Sequence, residues 1–205
     1  MSAALPLNEH FFDRESKRMW YVLGISYSRY FPERQRPVNT WSSYDSELIT
    51  IVKRELASGH ALIHEERTET FKVRMLNAHL QSMLFKRGCV PGKAKRKFPR
   101  NIKRRYLDHF VRGFFDAHVT VCHDNREHCH GSVVQIYLNP PFLRRLREAL
   151  VNVNAVSKRI KVANTRLNYY SRLDIQGIHD FLYRDWDYIQ EHGLYLPSKK
   201  ERFCV

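Results

Sequence analysis

Acidic side chains are heavily outnumbered in this 205-residue chain. Twenty-one Asp and Glu stand against 35 Lys and Arg, leaving a formal net charge of +14. That imbalance argues for a polyanionic partner, because binding phosphates releases condensed counterions, and nucleic acid is the first candidate. Long apolar runs are missing too. No stretch of about 18 apolar residues exists to span a bilayer, and neither end carries a lipidation signal, so a membrane partner is set aside. The opening "MSAALPLNEHFFDRESKR" has neither the apolar core of a signal peptide nor an acid-poor, arginine-rich presequence. The expectation is an intracellular protein, in cytoplasm or an organelle matrix, that is not secreted. Only four cysteines occur, Cys89, Cys122, Cys129 and Cys204, too few and too scattered for a disulfide framework, which fits a reducing interior. What is present is core material. With 43% hydrophobic and 13% aromatic residues the chain can build one good-sized domain or two small fused halves.

Hydrophobic periodicity favours the second arrangement, an α+β chain written twice. Residues 18–28, "RMWYVLGISYS", are apolar on nearly every face, as suits a helix packed closely on another helix. "RPVNTWS" reads as a strand. "SYDSELITIVKREL" reads as an amphipathic helix with Leu48, Ile51, Val52 and Leu56 on one stripe and Ser43 or Asp45 as its cap. "HALIHEE" and "TFKVRML" read as strands, and a helix through "NAHLQSMLFKRG" stops at Gly88. The order then returns: a helix over 102–117, strands "HVTVCH" and "SVVQIYL", and a helix "PPFLRRLREAL" with prolines suited to a first turn. Strands "KRIKVA" and "RLNYYSRLD" and closing helices from 175 to 193 complete it. The division expected is an N-terminal extension (1–17), a first half (18–88), a basic linker (89–101) and a second half (102–205). The halves share one interface, so the chain is a pseudo-symmetric monomer.

"VLGISYSRY" and "VRGFFDAHV", with "SSYDSELITIVKREL", "LFKRGCVPGKAKRKFP" and "FLYRDWDYIQEHGLYLPSKKERF" around them, resemble the LAGLIDADG homing endonucleases over about residues 18–203. The resemblance implies two αββαββα-type halves whose strands form a β-saddle on a duplex. It also implies two motif helices packed through small residues, here Gly24 and Gly113, each delivering one metal-binding acid from its C-terminal end. That acid falls on Arg29 in the first helix and His118 in the second. A permanently protonated arginine repels Mg²⁺, and imidazole is a softer ligand suited to zinc or copper. Asp116 keeps an earlier acid of the motif, but two residues back on a helix it points about 200° away. It reads as a brace. Arg29 instead suits direct contact with a phosphate.

The expectation is therefore a degenerate member that binds nucleic acid without cutting it and needs no cofactor. RNA is preferred to DNA, as a structural component of a ribonucleoprotein such as a ribosome or intron complex; a DNA-binding regulator is the other use. The reading from another class is a working endonuclease that uses Asp116 by a register shift, and only that reading calls for a divalent metal.

The remaining candidates each have a plainer reading. The basic segment containing Lys86, Arg87, Lys93, Lys95, Arg96, Lys97, Arg100, Lys103, Arg104 and Arg105 is either a phosphate-tracking arm or a solvated linker. Lys158, Arg159 and Lys161, with Arg144, Arg145 and Arg147, form a second basic face or ordinary surface charge. Lys199 and Lys200 reach a phosphate or belong to a solvated tail. Cys122, His123, His128, Cys129 and His130 flank a hairpin turn, where cross-strand pairing allows a zinc site or merely a polar hairpin. Trp41, Phe142, Tyr169 and Tyr170 stack on bases or fill the core.

Overall fold

The computed structural model describes residues 5–124 and 131–203. Helix α1 (Lys17–Arg29) starts where the Ser16 hydroxyl accepts a hydrogen bond from Met19 N at 3.0 Å, and every residue from Met19 to Ser28 is buried. Its axial partner is α4 (Arg104–His118), buried continuously from Asp108 to Ala117. An all-round apolar helix needs cover on every side. Each of these two is covered by the other and by a sheet.

The first sheet has the order β1-β2-β4-β3, with β1 (Tyr30–Pro32), β2 (Val38–Ser43), β3 (Ile63–Glu65) and β4 (Thr70–Leu76) all antiparallel. Helix α2 (Ser46–Glu55) is capped by the Asp45 carboxylate, which accepts from Glu47 N and Leu48 N; α3 (Ala78–Lys86) is capped by Asn77. The second sheet has the order β5-β6-β7, from β5 (Thr120–Asp124), β6 (Gly131–Tyr137) and β7 (Arg166–Tyr169). Helix α5 (Pro140–Asn152) has its prolines in the first turn, and α6 (Arg172–Leu182), α7 (Trp186–Glu191) and α8 (Pro197–Lys200) close the chain. The architecture is α+β with two pseudo-symmetric halves, as the sequence pattern indicates.

Two strands differ from the sequence reading. In the first half only Ile63–Glu65 of "HALIHEE" pairs. In the second, "KRIKVA" makes a single bridge, Ala163 with Arg166. The carbonyls of Ile160 and Lys158 instead accept from the Arg147 guanidinium.

The α1–α4 crossing sets everything else. A Cβ on Gly24 would lie 2.2 Å from the Phe110 carbonyl oxygen, and one on Gly113 would lie 2.0 Å from the Tyr21 carbonyl oxygen. Backbone meets backbone there, an approach only a missing Cβ permits. Around the crossing Tyr27 and Phe98 meet Phe110 edge-on, at ring separations of 5.2 and 5.4 Å. Trp41, Phe142 and Tyr169 are fully buried and belong to this core, so they do not stack on bases, while Tyr170 stays 55% exposed.

Candidate nucleic-acid interface

The C-terminal ends of α1 and α4 emerge side by side, and each runs straight into the first strand of its sheet. Their exposed carbonyls carry the negative ends of two helix dipoles, which favour cations. The sequence supplies them. Arg29 Nε donates to the Ala117 carbonyl at 2.7 Å, tying the end of α1 to the end of α4, and Lys199 Nζ donates to the Val119 carbonyl at 2.7 Å. Lys93 Nζ stands 5.1 Å from the centre of the Phe31 ring on β1. Burial lowers the pKa of Arg29, Lys93 and Lys199, and the Arg29 charge lowers both lysines further. Three cations thus converge where two helices end. The two Nη groups of Arg29 make no hydrogen bond among the described residues and are free to meet an incoming phosphate.

His118 takes no part in that charge. Its Nε2 lies 2.6 Å from the Tyr137 carbonyl and so carries the proton, which leaves Nδ1 to accept from the Ser28 hydroxyl at 3.1 Å. Burial pushes its pKa down to about 4, against the pull of the Tyr137 carbonyl, so the ring is neutral at pH 7. Both nitrogens are hydrogen-bonded within the fold. Asp116 lies inside the helix pair, where its carboxylate accepts from the Tyr21 hydroxyl at 2.7 Å and from Leu196 N at 3.2 Å. Burial raises its pKa to about 7, despite the Tyr21 hydrogen bond and the Arg112 charge. The one carboxylate that acts on both Arg29 and Lys199, Asp45, is spent capping α2, and Lys199 also feels the buried Asp116. A pair of Mg²⁺ ions needs carboxylate oxygens at the helix ends. These residues do not fit that requirement: the position holds fixed positive charge and a neutral, fully bonded imidazole.

Period-two alternation decides what the sheets present. In β2 and β4, Asn39, Trp41, Val73 and Met75 point into the core, which leaves Thr40, Ser42, Lys72, Arg74 and Leu76 on the opposite face. Cross-strand register aligns Phe31, Thr40 and Arg74 in one row, and Ser42, Lys72 and Ile63 in the next. The second sheet repeats the device. Thr120, Gln135 and Asn168 form one row, and Tyr137 with Arg166 another. Phe31, Leu76 and Tyr137 are 44, 68 and 49% exposed. Residues of this kind, flat rings with amide, hydroxyl and guanidinium groups, suit the edges and backbone of a duplex. The sequence reading passed over them, although the alternation in "TFKVRML" already separates Lys72, Arg74 and Leu76 from the core.

The basic segment between the halves is only partly exposed. Arg96 has to be removed from the nucleic-acid contacts: it is 1% exposed, and its guanidinium donates to the carbonyls of Val90, Ser26, Tyr27 and Tyr30. It closes the C-terminal end of α1 from below, and the carbonyls turned towards it there explain its burial. Arg87 likewise donates to the Phe12 carbonyl, and Lys103 pairs with Glu15 at 2.7 Å. Lys86, Lys95, Lys97, Arg100, Arg104 and Arg105 remain exposed, as do Lys158, Arg159 and Lys161. Lys97, Arg100 and Arg104 join Arg144 and Arg145 of α5 around a groove of about 910 Å³ floored by Phe98, Leu107 and Val153. That groove sits at the N-terminal end of α4, a helix length of about 20 Å from the Arg29 cluster. Lys200 is half-buried, its ammonium 4.3 Å from the Trp186 ring centre. Of the candidate zinc ligands, the Cys122 thiol lies 3.9 Å from the Val133 carbonyl, whereas His128, Cys129, His130 and the side chain of His123 lie outside the described residues.

No protein-family model and no curated protein matches this sequence. The fold does have solved counterparts. The homing endonuclease I-WcaI bound to its DNA recognition sequence superposes with a TM-score of 0.59 at 9% identity, over 96% of this chain and 92% of that one. The I-SmaMI LAGLIDADG homing endonuclease bound to cleaved DNA gives 0.55 at 12% identity, over 92% and 87%. The LAGLIDADG meganuclease I-CpaMI bound to uncleaved DNA gives 0.54 at 12% identity, over 92% and 88%. Identities this low carry the fold and no more.

Proposed function

We propose that this chain, with the fold of LAGLIDADG homing endonucleases, binds double-stranded nucleic acid across its two sheets and does not cleave it. The observation that supports this is the convergence of Arg29, Lys93 and Lys199 where the two helices end, with Arg29 and a neutral His118 at the positions the resemblance gives to metal-binding acids. A duplex lying on the outward rows of both sheets brings its backbone over that cluster, and a fixed cation meets the phosphate where an endonuclease would hold metal. Lys72, Arg74 and Arg166 supply further phosphate or guanine contacts, and Gln135 suits an adenine edge. DNA is the duplex favoured, because the counterparts named above are DNA complexes. A structural role on RNA in a ribonucleoprotein is the second reading. It is supported by the basic groove beside α5, since a folded RNA contacts several faces of one protein at once.

The test is binding and cleavage on the same preparations. Nucleic acid recovered with the protein is sequenced, and the recovered species is assayed with Mg²⁺ and Mn²⁺. Affinity should fall linearly with salt on a log–log scale, by roughly three to five decades between 50 and 200 mM for about six to ten phosphate contacts. No divalent-dependent cleavage should appear. Recovery of RNA with negligible duplex DNA affinity selects the second reading. Cleavage that disappears on Asp116→Asn would overturn the non-cleaving assignment altogether.

A further inference from the structure

The N-terminal segment ahead of α1 holds a cluster that the nucleic-acid site does not use. His10 Nδ1 and His79 Nε2 each stand 2.8 Å from an oxygen of the Asp13 carboxylate, and the three ligand atoms lie within 4.8 Å of one another. A tetrahedral zinc with bonds of about 2.0–2.1 Å sets its ligand atoms about 3.3 Å apart, which small side-chain rotations reach from here. Those side chains have room to rotate, being 66, 32 and 40% exposed for His10, Asp13 and His79.

The backbones beneath them are fixed. Asp13 N donates to the His10 carbonyl at 3.0 Å within one turn, Phe12 is fully buried, and Arg87 grips the Phe12 carbonyl. His79 sits in the first turn of α3, held by its Asn77 cap. A further carboxylate is close by. Glu9, held by Asn77 Nδ2 at 2.6 Å, lies 3.7 Å from His10 Nε2, close enough to add negative charge beside the imidazole though beyond hydrogen-bond reach.

We propose that His10, Asp13 and His79 form a site for one divalent transition cation of the zinc class, with solvent completing the coordination, that fastens the N-terminal segment to α3. Two imidazoles and one carboxylate select a borderline cation over Mg²⁺ or Ca²⁺, which prefer all-oxygen shells. In the metal-free protein the same imidazoles hydrogen-bond to Asp13, so the site is preformed without an ion.

The test uses untagged full-length protein. Titration calorimetry with Zn²⁺ should give one ion per chain, and Co²⁺ should give a d–d spectrum without a sulfur charge-transfer band. Zinc at a hundredfold excess over its Kd should raise Tm by roughly 5–10 °C. His10→Gln and His79→Gln should each weaken binding at least tenfold while leaving the metal-free Tm close to wild type, and Cys122→Ser with Cys129→Ser should leave binding unchanged. Zinc should also protect His10 and His79 of the wild-type protein from diethyl pyrocarbonate, a readout that needs no variant. Absence of saturable binding, binding undiminished in the double histidine variant, or loss confined to the cysteine variant overturns the proposal.

Discussion

Replacing Gly113 by alanine is the smallest change that tests how the two halves are joined. The added Cβ would sit 2.0 Å from the Tyr21 carbonyl oxygen and 2.9 Å from its carbon. Carbon–oxygen contacts settle at about 3.3 Å or more, so α1 and α4 must part by roughly 1 Å. Neither obstacle is a side-chain tip that can swing away. Parting the helices opens the packing around Phe110, where Tyr27, Trp20 and Phe98 all meet its ring edge-on. A radial gap of that size forfeits a quarter to a half of each dispersion contact. On an open helix the same substitution is worth about 1 kcal/mol of stabilisation, so here the expected sign is reversed. We expect a net loss of about 3 kcal/mol, or a Tm lowered by roughly 6–12 °C, in chemical and thermal denaturation followed by circular dichroism. Gly24→Ala meets the Phe110 carbonyl oxygen at 2.2 Å and should behave alike. Since both glycines serve one crossing, the double variant should cost clearly less than the sum, because helices already parted accommodate the second methyl. A Gly113→Ala protein as stable as wild type, or strictly additive losses, would refute the reasoning.

Arg96→Met should lower stability in urea by about 3–5 kcal/mol, because four buried carbonyls lose their donor, while Lys95→Ala and Lys97→Ala should stay within about 0.5 kcal/mol of wild type. Asp116 has a folded pKa of about 7 against an ordinary 3.8, so between those values the native state keeps a proton that the unfolded chain has released. The stability it contributes is complete below pH 4 and drains away as pH rises through 7. Asp116→Asn, which cannot ionise, should therefore gain on wild type between pH 5 and 8 by an amount on the order of 1–3 kcal/mol in denaturation measured at each pH. His118 has the opposite sign: its pKa of about 4 makes its contribution present above pH 6.5 and lost as pH falls towards 4, and NMR should find the ring neutral at pH 6 with the proton on Nε2. Arg29→Asp should weaken nucleic-acid binding in metal-free buffer and reduce the steepness of its salt dependence by about one ion, read from a log–log plot of affinity against salt.

Much of this was legible in the chain because it depends on neighbours in sequence. Residues 18–28, apolar on nearly every face, mark a helix that needs cover, and the matching glycines Gly24 and Gly113 point to the helix of 102–117 as its partner. The caps at Asp45 and Asn77 and the prolines opening α5 follow from local backbone chemistry. Arg29 and His118 end the two helices at the positions the resemblance gives to metal-binding acids, and a residue's place along a helix fixes its direction.

Tertiary structure decided where the long cationic side chains end. Arginine and lysine reach 6 Å or more and look alike in sequence whether they bind phosphate or backbone. Arg96 stands among exposed lysines yet is the one drawn inside, because the end of α1 and the start of β1 turn the carbonyls of Ser26, Tyr27 and Tyr30 towards it. Arg147 reaches the carbonyls of residues 158 and 160, a contact that alternation in the sequence does not show. Lys93 and Lys199, over a hundred residues apart, meet at Arg29 only because the helix ends converge. Hydrophobic pattern determined which faces are buried, whereas the acceptors left over at helix ends and loops determined which charges remain free for a partner, and those acceptors exist only once the chain has folded.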